Sequence, residues 1–158
     1  MEPEHVAVST EVEATPERIY RLVSDLPRMG EWSPECVRCD WVGGARGAAV
    51  GARFKGRNRR GLYRWSTNGE VVAADPDSEI AFDVSFLGMP VARWRYTIEH
   101  AGPGRTRVTE TWEDRRGRAM RVIGVAGTGV RDRAAHNRAG MVETLERIKL
   151  TAEGPDEG

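Results

Sequence analysis

Cys36 and Cys39 are the first residues whose spacing suggests chemistry, because a Cys-x-x-Cys pair can exchange disulfides or bind zinc. The chain contains no other cysteine, and a structural zinc site needs four ligands. The pair also falls in a segment, 36–42, that is predicted to be a β-strand, where positions i and i+3 face opposite sides of the sheet. We therefore expect neither a redox site nor a metal site at these cysteines.

The three histidines are His5, His100 and His136. Two lie near the ends of predicted strands, and His136 lies one position off the apolar stripe of a predicted helix, where it should face solvent. The sequence therefore predicts no metal site and no histidine placed as a general base. It also lacks the nucleophile-elbow, phosphate-loop and His-Glu-x-x-His motifs, and no cofactor is predicted. The glycine-rich segment 124–129 follows a predicted helix, which indicates a hinge or kink.

Polar residues on predicted inner faces are the better candidates for a site, because burying an unpaired polar group costs about 1–3 kcal/mol. Glu110 lies between Val108 and Trp112 on one strand face, and it is the best candidate for a catalytic residue. Asn137 lies on the helix stripe, and Tyr63 shares a face with Trp65. Each of these residues has an alternative, structural role. Glu110 would pair with an arginine, Asn137 would hydrogen-bond a loop across a pocket mouth, and Tyr63 would be an aromatic residue of the core.

The elements that must position these residues are strands followed by one long helix. Residues 129–150 have apolar side chains at three- and four-residue spacing, which predicts an amphipathic helix roughly 30 Å long. A strand at 6–13 precedes two short helices, the first beginning at Thr15-Pro16. Alternation then predicts six further strands, at 36–42, 52–59, 62–74, 79–86, 91–100 and 106–114. Their apolar faces supply a partner for the helix stripe.

Composition narrows the functional classes. The chain has 158 residues with a formal net charge of zero, a length that suits one domain and a charge that gives no general attraction to nucleic acid or anionic lipid. An arginine patch at Arg57, Arg59, Arg60 and Arg64 leaves nucleic-acid binding as a weak third possibility. The sequence shows no secretory signal and no apolar run long enough to span a bilayer, so we expect a cytoplasmic protein.

The order strand, two short helices, six strands and long helix resembles the START-like (SRPBCC) superfamily, within it the polyketide cyclase/dehydrase and lipid-transport-like group. The local likenesses are segments 11–20, 25–34, 107–113 and 137–145. The resemblance implies an α+β helix-grip fold, with a seven-stranded antiparallel sheet wrapped around the C-terminal helix. Residues 1–150 would form the single domain, and residues 151–158 a disordered polar tail.

The resemblance also implies a cavity between sheet and helix that holds a largely apolar molecule. The expected ligand-binding residues are Tyr63, Trp65, Phe82, Val84, Trp94, Tyr96, Glu110, Trp112, Asn137 and Met141. Alternation alone cannot separate a lined pocket from a filled core, because both give the same pattern.

Two functions from different classes follow. One is a binding or carrier protein for a lipid, polyketide or similar molecule, working as a monomer or homodimer and without nucleic acid as a partner. The other is a polyketide aromatase/cyclase-like enzyme, in which Glu110, helped by Tyr63 or Asn137, moves protons for aldol closure and dehydration.

Overall fold

A single antiparallel sheet holds one long helix against its inner face. The computed structural model of the protein describes residues 4–155. The seven strands lie in the order β1-β7-β6-β5-β4-β3-β2. Their bounds are β1 His5–Val12, β2 Cys36–Val42, β3 Arg53–Arg60, β4 Tyr63–Asp75, β5 Glu79–Phe86, β6 Met89–Gly102 and β7 Arg105–Asp114. The predicted helix-grip architecture is confirmed.

The connection between β1 and β2 contains the two predicted short helices. Helix α1 covers Pro16–Ser24, and a 3₁₀ helix covers Leu26–Glu31. The Thr15 hydroxyl accepts a hydrogen bond from the Arg18 backbone N–H at 3.2 Å, which satisfies one of the free donors at the helix start. Because consecutive strands from β2 to β7 pair as neighbours, this helical crossover carries the chain from one edge of the sheet to the other.

The C-terminal region is two helices, α2 at Arg118–Thr128 and α3 at Arg133–Glu153. Gly129 ends α2 in the left-handed conformation, with φ of 72°, and this confirms the predicted break. Helix α3 begins four residues after the predicted start, where the Asp132 carboxylate accepts from Ala135 N–H at 3.0 Å. The boundary at residue 150 is wrong as well, since α3 continues through Glu153 into the segment assigned to the tail; residues 156–158 lie outside the described range.

Tertiary contacts explain why α3 extends beyond residue 150. Ala152 is buried, and the Arg18 guanidinium donates hydrogen bonds to the carbonyls of Ala152 and Thr151 at 2.7 and 3.1 Å. The last carbonyls of a helix have no partner within it, and a cation favours this end of the helix. The polar composition of residues 151–153 therefore did not indicate disorder.

Helix α3 meets a solid core along only part of its length. Leu145 and Ile148 are buried against side chains of α1 and the sheet, including Ile19, Ile80 and Val108. Eight of the residues of α3 between Arg133 and Thr144 instead line a cavity. The core thus anchors the C-terminal half of the helix, and the N-terminal half covers an internal space.

A bulge in β2 changes which way its cysteines face. The pairing between β2 and β3 shifts register between Cys36 and Arg38, leaving Val37 without a partner. An extra residue in one strand reverses the alternation beyond it. Cys36 and Cys39 are both buried, whereas Val37 is exposed. The expectation that the two cysteines face opposite sides is therefore wrong.

Gly69 on β4 makes room for an aromatic side chain of the neighbouring strand. It pairs with Phe54, and a Cβ at Gly69 would lie 2.0 Å from the Phe54 Cζ atom. Phe54 makes edge-on contacts with Trp41 and Phe82, with ring centroids 6.2 and 5.2 Å away. Because Gly69 has no side chain, Phe54 can lie over it and contact Trp41 and Phe82.

We predict that Gly69→Ala destabilises the protein by roughly 1–3 kcal/mol, because the added methyl group forces Phe54 out of a packed position. Urea unfolding monitored by circular dichroism measures this loss. Gly47→Ala is the matched control, since a Cβ there meets no atom within 4 Å, and it should change stability little. Equal effects of the two substitutions would show that Phe54 does not depend on Gly69.

Candidate functional site

The space between the sheet and the N-terminal half of α3 is a cavity of about 560 Å³, within the range typical of small-molecule sites. It lies under residues 133–144 of α3 and extends to α2 and the end of β3. Nine of the ten predicted ligand-binding residues line it: Trp65, Phe82, Val84, Trp94, Tyr96, Glu110, Trp112, Asn137 and Met141. Whether a ligand contacts them stays a prediction.

Tyr63 is the predicted residue that does not line the cavity. Its side chain is 42% exposed, and its ring covers Gly129, where a Cβ would lie 2.7 Å from the Tyr63 Cε2 atom. It shares a strand face with Trp65, but it stands at the first residue of β4, beyond the cavity. Strand alternation predicted the correct face for Tyr63. Its position at the start of the strand, however, keeps it out of the cavity wall.

Glu110 is the most unusual side chain in the cavity wall, since it is a carboxyl group that is only 3% exposed. It lies directly across from Tyr96 in the pairing of β6 and β7. The Tyr96 hydroxyl donates to Glu110 Oε1 at 3.2 Å, and Oε2 has no partner. The alternative role predicted for Glu110, an ion pair with an arginine, is not found among the described residues.

Burial governs the protonation of this pair. Desolvation raises the pKa of Glu110 to about 8, although the hydrogen bond from Tyr96 acts in the opposite direction. Desolvation and the neighbouring carboxyl group raise the pKa of Tyr96 well above its ordinary value. A carboxyl group with a pKa near neutrality can both give and accept a proton, which is the property that general acid-base catalysis needs.

A second polar group in the cavity wall is centred on Glu35 and the start of α3. Arg133 Nη1 donates to Glu35 Oε1 at 2.8 Å, and His136 Nε2 lies 2.5 Å from the same oxygen. Arg133 Nη2 donates to the Thr128 hydroxyl at 2.8 Å, and Nη1 to Asn137 Oδ1 at 3.5 Å. The prediction that His136 faces solvent holds only in part, since its side chain is 34% exposed but also lines the cavity beside Glu35, from the loop before β2.

Three arginines reach this part of the cavity from three different elements, and we call Arg60, Arg116 and Arg133 the arginine cluster. Arg60 Nη1 donates to the Thr128 carbonyl at 3.1 Å. Arg116 donates to both carboxylate oxygens of Asp114, each at 2.9 Å. Burial lowers the pKa of Arg133, Glu35 opposes this, and the positive charges of Arg116 and Arg60 lower that pKa further.

Glu35 and Arg133 were not predicted as site residues, although the sequence held a signal for Arg133. Arg133, Asn137, Met141 and Thr144 are spaced by four, four and three positions, so they share one helix face. Of these four residues, only Asn137 and Met141 were expected to bind a ligand. Glu35 carried no such signal, since its position depends on the path of a loop.

Cys36 and Cys39 also line the cavity. Burial raises the pKa of Cys36 to about 11 and that of Cys39 to about 12. Thiols in this state are weak nucleophiles and weak metal ligands, since the thiolate is the reactive form. Within residues 4–155, no group of three His, Cys, Asp or Glu side chains is close enough to hold a metal ion.

No helix in the described part of the chain is long and apolar enough to cross a membrane. The fold and the cavity together define a helix-grip protein with a mostly apolar internal pocket. The sequence matches the family described as "Polyketide cyclase / dehydrase and lipid transport" over residues 3–153. The chain belongs to this family, as the sequence resemblance predicted.

Solved structures support the assignment. The polyketide-cyclase-like protein Cgl2372 from Corynebacterium glutamicum is 30% identical, with a TM-score of 0.64 over 96% of this chain and 93% of that one. The major latex-like protein 151 from Panax ginseng is 12% identical, with a TM-score of 0.73 over 98% and 100%. DynU16, from the dynemicin biosynthetic locus, is 20% identical, with a TM-score of 0.64 over 94% and 47%. The last two show the fold alone, and a comparison with curated protein sequences found no significant match.

We predict that the stability difference between wild type and Glu110→Gln depends on pH. Between pH 5 and 8 the unfolded chain has an ionised Glu110 and the folded chain a neutral one, so rising pH weakens wild type relative to the variant. The relative loss should be about 1.4 kcal/mol per pH unit and should level off above pH 8. Urea unfolding at several pH values measures it; a constant difference would show that Glu110 titrates normally.

Proposed function

We propose that the protein binds a small, largely apolar molecule in the cavity between the sheet and α3. The observation that carries this proposal is the cavity itself, about 560 Å³ of space lined by Phe82, Trp94, Trp112 and other apolar side chains. A folded protein normally fills its interior to crystal-like density. A space of this size in a single domain indicates a ligand site, because leaving apolar side chains without contacts costs stability.

The polar groups in the wall support the same function. Glu110 Oε2 lacks a partner, and a ligand hydroxyl or amide could supply the missing hydrogen bond. Ligand pockets typically combine an apolar lining with a few convergent polar groups that fix orientation. The family description includes lipid transport, which agrees with an apolar ligand.

We predict that filling the cavity prevents binding. Val84→Trp adds a large ring to a residue of the lining and should weaken binding of a neutral fluorescent probe, N-phenyl-1-naphthylamine, by at least about tenfold. Fluorescence titration measures the affinity. Val142→Trp is the matched control, because Val142 lies on α3, is 53% exposed and does not line the cavity. It should leave the probe affinity unchanged.

Thermal unfolding should confirm that both variants are folded before their affinities are compared. Unchanged probe binding by a folded Val84→Trp protein would contradict the cavity as the binding site. A wild-type protein that binds no apolar probe would contradict the proposed function itself.

A cyclase/dehydrase-like enzyme is the second candidate, favoured by the protonation of Glu110. The ionised fraction of its carboxyl group could take a proton from a carbon next to a ketone, and the acid formed in this way could give that proton to a leaving hydroxyl group. The assisting phenol is Tyr96, which contacts Glu110 directly, in place of Tyr63. The family description includes polyketide cyclases and dehydrases, which agrees with this alternative, and positioning a flexible substrate would add to the rate.

The enzyme candidate makes a separate prediction. Glu110→Gln should reduce turnover of a poly-β-keto substrate by at least about a hundredfold, the usual contribution of a positioned acid or base, while substrate binding stays within a few-fold. Product analysis by liquid chromatography and mass spectrometry, with binding measured in parallel, tests both parts. A variant that retains turnover would remove Glu110 from the mechanism and leave the binding function standing.

A further inference from the structure

We propose that the arginine cluster binds an anionic group, a carboxylate or phosphate, at one end of an otherwise apolar ligand. This inference rests on the proposed binding function and adds the chemical class of the ligand. The cavity would then select amphipathic acids over neutral apolar molecules of the same size.

The first support is geometric. Arg60 from the end of β3 and Arg133 from the start of α3 meet at Thr128, where one donates to the carbonyl at 3.1 Å and the other to the hydroxyl at 2.8 Å. Arg116 lies beside them, since a Cβ at Gly124 would be 3.5 Å from its Nη1 atom, and the Gly124 carbonyl accepts a hydrogen bond from the Thr128 hydroxyl at 2.6 Å. All three arginines line the cavity.

The second support is an excess of positive charge. Glu35 pairs with Arg133, while Asp114 is shared between Arg116 and Arg121, the latter at 3.3 Å. Arg60 has no carboxylate partner within the described part of the chain; its hydrogen bond goes to a neutral carbonyl. The three arginines of the cluster therefore have two carboxylates, one of them shared with Arg121, and the exposed Arg60 is left as an uncompensated positive charge.

Like charges held together at a partly desolvated site are costly. The Arg133 side chain is only 15% exposed and that of Arg116 only 11%, and the pKa of Arg133 is lowered both by burial and by its two neighbours. An anion would offset this repulsion with charge-assisted hydrogen bonds, which arginine can make in pairs to carboxylate or phosphate. The arginine cluster would therefore be stabilised by binding a carboxylate or phosphate group.

The rest of the lining sets the orientation of such a ligand. Glu110, the other polar feature, makes its hydrogen bond with Tyr96 and none with the arginines. Glu110 offers no positive charge to attract a ligand anion, whereas the guanidinium groups do. The anionic end therefore belongs at Arg60 and Arg133, and the apolar part lies along Phe82, Trp94 and Trp112.

The test compares three probes of equal chain length: dodecanoate, dodecyl phosphate and 1-dodecanol. Isothermal titration calorimetry at pH 7 and low salt should show at least one anion binding about tenfold or more tightly than the alcohol. Which anion binds better distinguishes a carboxylate site from a phosphate site. Arg60→Gln should reduce that preference about tenfold and leave 1-dodecanol affinity unchanged.

Arg57→Gln is the matched control, because Arg57 is exposed on the same strand and does not line the cavity. It removes the same charge and should leave all three affinities unchanged. If Arg60→Gln unfolds, Arg133→Gln takes its place, since it removes the guanidinium that meets Arg60 at Thr128. The same loss of preference is expected from it.

The outcomes separate the inference from the function on which it rests. Equal affinities for the alcohol and both anions would overturn the anion site and leave cavity binding intact. An anion preference that persists in the folded Arg60 or Arg133 variant would also overturn it. Failure of all three probes to bind would overturn the proposed function, and the anion site with it.

Discussion

The structure depends on the way α3 is anchored. The helix has 21 residues, yet only its C-terminal half is buried in a solid core, where Leu145 and Ile148 meet α1 and the sheet. Arg18 holds the last carbonyls of the helix, and Lys149 donates to the Glu11 carbonyl at 2.7 Å. Because this end is fixed, the N-terminal half can span an open space with a smaller packed contact, that of Met141 with Val6, Ala92 and Trp112. The packed C-terminal half of α3 thus holds the N-terminal half in place above the cavity.

The polar groups of the cavity are costly for the fold, and this cost points to function. Burying Glu110 without an ion-pair partner and gathering three arginines both reduce stability. An apolar residue at position 110 would suit the surrounding wall better. Groups that contradict the rule of an apolar interior typically lie at functional sites, where stability is given up for recognition or chemistry. Glu110 is a buried acid held neutral at pH 7 and the arginine cluster is positively charged, so the two polar regions of the cavity differ in charge.

Much of the site was accessible from the sequence, because alternation along strands and periodicity along a helix identify faces reliably. Nine of ten predicted lining residues followed from those two patterns and the family resemblance. The failures came where the pattern was locally broken or cut short. A one-residue bulge turned Cys36 and Cys39 to the same side, and Tyr63 lay on the right face but beyond the end of the cavity. His136 faced the cavity because a distant loop brought Glu35 beside it.

The sequence by itself determined the order of elements, the helix-grip architecture, the position of the helix break at Gly129 and the inward face of Glu110. These features depend on local propensity and on the two-residue and 3.6-residue periods, which act over short distances. Tertiary structure alone decided that the interior is hollow and that Arg60, Arg116 and Arg133 converge. A filled core and a lined cavity have the same alternation. A cluster assembled from three separate elements exists only after the chain has folded, because residues up to 73 positions apart then meet at one helix end.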